Sequence, residues 1–90
     1  MERLKVIFKK CNDGKVIAFF PELKVNYGNI ASYMHIGQHG EASYSFYSNL
    51  KNANKNEYNS LLEELKHIYD DGVLVVKEKL YYEDLVRAWR

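Results

Sequence analysis

The 90-residue sequence holds one cysteine, one proline and one tryptophan. A lone cysteine, Cys11, excludes an internal disulfide and fits a reducing compartment. No low-pKa environment is evident around it, so a small apolar filler beside a turn is preferred to a nucleophile or metal ligand. Long apolar runs are missing too. The longest are Val16-Ile17-Ala18-Phe19-Phe20 and Val73-Leu74-Val75-Val76, whereas crossing a bilayer takes about 20 apolar residues. Charges from Glu2 to Lys10 break the apolar stretch that a secretory signal needs. These absences predict a cytoplasmic protein without a membrane partner.

A strong excess of one charge is also lacking. The formal net charge is +1, small for a generic nucleic-acid footprint. The sign nevertheless varies along the chain. Residues 1–40 carry six Lys/Arg against three acids, residues 41–72 three against six, and residues 73–90 four against three. Such a gradient can steer a partner, although a solvated surface is its plainer meaning.

What is present argues for a folded module. Hydrophobic residues make up 47% and charged residues 28%, a balance that excludes a disordered composition. The length suits one domain over residues 1–90, because domains run from about 50 to 250 residues. Aromatics are plentiful, with eight Tyr and four Phe. Tyr combines an apolar body with a polar tip and often sits half-buried at a surface.

Alternation from Leu4 to Lys10 predicts a strand. Asn12-Asp13-Gly14 supplies a tight turn. Residues 15–20 read as the return strand, apolar enough to be covered on both faces, and Pro21 ends it. A loop over 22–29 leads to a third strand over 30–36. Residues 42–50 admit a fourth strand or an aromatic loop, and the dilution by Ser and Asn favours the loop. Tyr58, Leu61, Leu62, Leu65, Ile68 and Tyr69 form a helical stripe over 55–69. Asn54 and Glu57 suit a capping box, and Gly72 a left-handed stop. Val73–Lys79 reads as a strand and Tyr81–Trp89 as a short helix. The expected fold is an α+β two-layer sandwich. A mainly antiparallel sheet of about four strands, in the order βββ-α-β-α, carries the long helix on one face.

The least ordinary segment is Tyr33-Met34-His35-Ile36-Gly37-Gln38-His39-Gly40-Glu41. Imidazoles four residues apart can ligate zinc or move protons. The pair, however, sits on a strand breaking into a glycine turn, and Ile36 stands where a zinc hydrolase helix has Glu. Hydrogen-bonded structural histidines are therefore favoured, and no metal is assigned. Cys11, His35 and Glu41 make an imaginable catalytic set, but nothing in their contexts activates them. No serine lies in a nucleophile elbow, and Gly37-Gln38-His39-Gly40 lacks the lysine and helix of a phosphate loop. The reading is against an enzyme, with no catalytic residue and no cofactor.

Val16-Ile17-Ala18-Phe19-Phe20-Pro21-Glu22 and Ser32-Tyr33-Met34-His35-Ile36-Gly37-Gln38-His39-Gly40 resemble a pattern in short uncharacterised proteins of gut bacteria, their mobile elements and phages. Those look like a basic β-hairpin ending in Phe-Pro-Glu, followed by Ser-Tyr-x-His-x-Gly-Gln-His-Gly. The likeness covers roughly the first half, with a similar helix after it. The chain departs from it after Glu41, where Ser43–Tyr47 is unusually aromatic. The resemblance implies a compact accessory domain and carries over no functional residue.

The functional expectation is a small non-enzymatic binding or accessory module, acting on a protein partner or on a second copy. The alternative is single-stranded nucleic-acid binding by the basic hairpin and tyrosines. A His-dependent or metal-dependent enzyme at His35 and His39 ranks third. Candidate binding residues are Lys9, Lys10, Tyr33, His35, Gln38, His39, Tyr44 and Tyr47.

Overall fold

A computed structural model describes residues 3–34, 38–69 and 72–89. Strand β1 (Leu4–Lys10) turns into β2 (Val16–Phe20). Gly14 at φ +88° makes the turn possible, Asp13 Oδ1 accepts from Lys15 N, and Cys11 N donates to Lys15 O. The β1–β2 register pairs Ile7 with Phe19 and Lys10 with Val16. Extending it would set Lys5 opposite Pro21, which has no N–H to give. The Glu22 carboxylate accepts the Lys5 N–H at 2.8 Å.

Strands β3 (Asn29–Met34) and β4 (Gln38–Ser43) continue the antiparallel sheet. Helix α1 (Tyr44–Ser48) follows directly, then β5 (Lys51–Asn52), α2 (Lys55–Ile68), β6 (Leu74–Lys77) and α3 (Tyr82–Ala88). The sheet runs β4-β3-β2-β1. The far side of β1 is shared: β6 lies parallel to Leu4–Ile7, and β5 antiparallel to Lys9 and Lys10.

An α+β domain with an open, mainly antiparallel sheet is thus correct, but several finer expectations are not. Among the described residues the sheet has six strands, and the order is ββββ-α-β-α-β-α. Residues 42–50 are not a loop. They finish β4 and form α1, whose Ser43 caps the helix by accepting from Phe46 N at 3.1 Å. Ser48 Oγ and Asn49 Nδ2 both donate to Ser45 O. The Ser and Asn residues that weaken a strand pattern here satisfy the ends of a short helix. The third strand is described from Asn29 to Met34, and the end of its expected range, residues 35–36, lies outside the described residues.

Two layers become three, because helices cover both faces of the sheet. On one face Val6, Phe8, Ala18, Phe20, Ala31 and Tyr33 meet Leu61 and Leu65 of α2. On the other, Ile7, Ile17, Phe19 and Ile30 meet Tyr47 of α1 and Leu85 of α3. This is why β2 reads as an unbroken apolar run: its alternate residues enter different cores. The α2 boundaries and the Asn54–Glu57 capping box agree with the sequence pattern, and Gly72 adopts φ +88°.

Candidate functional site

Strand β4 pairs along its whole length with β3, from Asn29 with Ser43 to Met34 with Gln38. No strand among the described residues lies on its other side. It contains no proline, and Gly40 within it does not adopt a positive φ. A six-residue edge of this kind offers free backbone donors and acceptors to a further strand. His39 and Glu41 project to the α2 face, and Gly40 and Ala42 to the face of α1 and α3, as the pairing partners Tyr33, Ala31, Ser32 and Ile30 require.

On the α2 face Tyr33 is buried, and its hydroxyl donates to Glu64 of α2. The exposed His39 ring stands edge-on to the Tyr33 ring, with centroids 4.6 Å apart. Glu41 Oε1 accepts from Asn26 N at 3.3 Å and from Asn29 Nδ2 at 3.0 Å. Lys10 lies on the same face but pairs with Glu57 at 2.5 Å. The Asn54 backbone N–H, and then Lys10, hold the Glu57 carboxyl below its usual range.

The opposite face carries a second group. Lys9 Nζ sits 4.8 Å from the Tyr47 ring centroid and donates to Asn52 Oδ1 at 2.6 Å. Burial lowers the Lys9 pKa. Tyr44 stacks on Tyr47, and burial, reinforced by Tyr44, pushes the Tyr47 phenol up to about 12. The sequence-predicted residues therefore do not form one site. Tyr33 and His39 meet on one face, Lys9, Tyr44 and Tyr47 on the other, and Lys10 is tied to α2. Gln38 contributes its backbone to β4, while His35 lies outside the described residues.

Three features escaped the sequence reading. Tyr27 and Tyr82, 82% and 63% exposed, flank the Trp89 ring at 4.9 and 6.0 Å, and Trp89 Nε1 donates to Asn29 O at 2.8 Å. A cleft of about 300 Å³ opens where the C-terminal ends of β5 and β6 meet over Phe8, whose ring stacks on Tyr58 at 4.3 Å. Lys5 and the buried Asp84 form an ion pair beside a smaller cleft of about 180 Å³. Helical spacing could have flagged Asp84, since it shares a face with Ala88 one turn on.

Cys11 is half-buried and packs against the second core. Burial, then Asp13, raises its thiol pKa, which opposes thiolate chemistry. Among the described residues no three His, Cys, Asp or Glu side chains gather to hold a metal, and no helix is long and apolar enough to cross a membrane. Comparison with protein-family models, curated proteins and solved structures finds no match.

Proposed function

We propose that this domain is a non-enzymatic protein-binding module that receives an extended strand along β4. The single observation that carries the reading is the unpaired outer side of Gln38–Ser43. Backbone hydrogen bonds would supply affinity, and side chains alternating to the two faces would supply selectivity. His39 and Glu41 offer a polar face, while Gly40 leaves the other face open to close approach. A ¹⁵N NMR titration with extended peptides of about six residues tests the proposal. Shifts confined to the β4 amides and their β3 partners are expected. Peptides that leave residues 38–43 unmoved at about 1 mM would remove the reading.

Single-stranded nucleic-acid binding is a second reading, supported by Lys9 resting on Tyr47 with Tyr44 beside it. It ranks lower because Lys9 already holds Asn52, and Lys10 faces the other way with Glu57. A salt titration with a single-stranded oligonucleotide separates the two. Binding that weakens with salt and shifts Tyr44 and Tyr47 would favour this second reading.

A further inference from the structure

We propose that the strand received by β4 is β4 of a second copy, paired antiparallel about Gly40. The inference rests on the reading of β4 as a strand acceptor and names its partner. Two identical antiparallel strands in one sheet are related by a two-fold axis perpendicular to it, so one residue must face itself. The six residues of β4 allow two registers that each pair five of them, one centred on Gly40 and one on Glu41.

Charge decides between these registers. Centring on Glu41 sets the two Glu41 carboxylates directly opposite each other, an arrangement that like charges disfavour. Centring on Gly40 sets His39 opposite Glu41 of the other copy, twice. Directly opposed residues bring their Cβ atoms within about 5 Å, so each imidazole N–H can donate to a carboxylate. Glu41 is prepared for this, since Asn26 and Asn29 both bind Oε1 and leave Oε2 for a partner. His39 is steadied by the Tyr33 ring beneath it.

The centre of this register also meets no side chain. Gly40 faces Gly40, with Gln38 opposite Ala42 on either side. Helix α2 packs over β2, and the helix that touches β4 is α1, which continues from its C-terminal end. Exposed Tyr44 and Phe46 follow β4 directly and add apolar surface at each end of the shared ladder.

Sedimentation across protein concentration, with backbone amide exchange, tests the proposal. The unaltered chain is expected to dimerise and to protect residues 38–43 as concentration rises. Gly40→Lys is the main variant. A Cβ at Gly40 meets only Ser32 Oγ, at 3.8 Å, so the single copy accommodates it. In the dimer the two lysines face each other, and dissociation is expected to rise at least about tenfold. His39→Glu is expected to weaken the dimer similarly by opposing Glu41. Adding Glu41→Lys to His39→Glu restores opposite charges and is expected to recover most of the affinity.

Circular dichroism and thermal melts establish that each variant folds, and His39→Glu serves if Gly40→Lys does not. A dimer indifferent to these substitutions overturns the proposal. So does a chain that is monomeric at about 1 mM. If extended peptides still shift β4 in that monomer, only the second copy is wrong. If nothing shifts β4, the strand-acceptor reading falls with it.

Discussion

Lys5 of β1 and Asp84 of α3, 79 positions apart in sequence, meet at 2.9 Å and lock the C-terminal helix to the sheet. Asp84 is only 5% exposed, and its other cation, Arg87, stands 3.9 Å away. The hydrogen bond that Lys5 Nζ donates to Asp84 is the main cause that raises the Lys5 pKa above its ordinary value. Removing Lys5 strands a buried carboxylate, which costs more than the pair itself contributes. Lys5→Met is expected to lower stability by about 2–3 kcal/mol, below the full buried-pair range because Lys5 is partly exposed. The double variant Lys5→Met/Asp84→Leu is expected to recover most of that loss. Urea midpoints of the unaltered chain, Lys5→Met, Asp84→Leu and the double variant check it, and additive single-variant losses in the double would refute the coupling.

Alkaline pH should loosen the fold through Tyr47. Its phenol is raised to about 12 in the fold, against about 10 in an unfolded chain. Between those values the unfolded chain has released its proton while the folded chain keeps it, so stability falls as pH rises. A raised amine acts in the same direction: the Lys5 contribution is full below the unfolded value and fades as pH passes through the folded one. Tyr47→Phe removes only the phenol. It is expected to resemble the unaltered chain at pH about 7 and to exceed it by about 1–2 kcal/mol at pH about 11. Chemical denaturation at both pH values measures the difference, and an unchanged alkaline slope would contradict it.

Elements with local causes were readable from the sequence. The β1–β2 hairpin carries its own turn, and α2 carries both its stripe and its cap, so no distant contact is needed to specify them. β4 and α1 were not readable in that way. Gly40, Ser43, Ser45 and Ser48 are poor strand or helix formers, and pairing with β3 and capping by Ser43 override their propensities. The second helical layer depends on α3, whose seven residues show too few apolar positions to declare which face of the sheet they cover.

The candidate site was legible in part, for a related reason. His39 and Glu41 stood out by chemistry, and both lie on the free edge. Their grouping with Lys9, Tyr44 and Tyr47 failed because a strand alternates its faces: Ile7 and Lys9 point one way, Phe8 and Lys10 the other. Which strand would be left at an edge depends on pairings across the whole chain. No single segment states it.

The capping box makes a graded test of what fixes α2. Asn54 Oδ1 accepts from Glu57 N at 2.9 Å, and Glu57 Oε1 accepts from Asn54 N at 2.9 Å. Asn54→Ala is expected to cost about 1 kcal/mol, the usual worth of a helix cap. Leu61 is fully buried between α2 and the sheet. Leu61→Ala removes apolar contact and leaves a cavity, with an expected cost of about 2–5 kcal/mol. The Glu57 carboxyl, held below its ordinary value, contributes stability above its unfolded pKa that fades as pH falls through the folded one. Thermal unfolding at neutral and acid pH follows all three effects. A cap variant more damaging than the core variant would show that α2 is not held by burial.

Tyr33 connects the core to the proposed binding edge. Its ring is buried beneath α2, its hydroxyl donates to Glu64, and the ring supports His39. Tyr33→Phe keeps the ring and deletes the donor. Glu64 is only half-buried and can take water instead, so the expected cost is about 0.5–1.5 kcal/mol. Because the His39 contact is to the ring, strand binding at β4 should survive this change. Tyr33→Leu is different, since it keeps apolar volume but removes the aromatic surface that steadies the imidazole. It should weaken strand binding as well as stability, whereas Tyr33→Phe should affect stability alone. Parallel peptide titrations and urea melts of the two variants separate these roles, and equal loss of binding in both would mean that the hydroxyl, rather than the ring, positions His39.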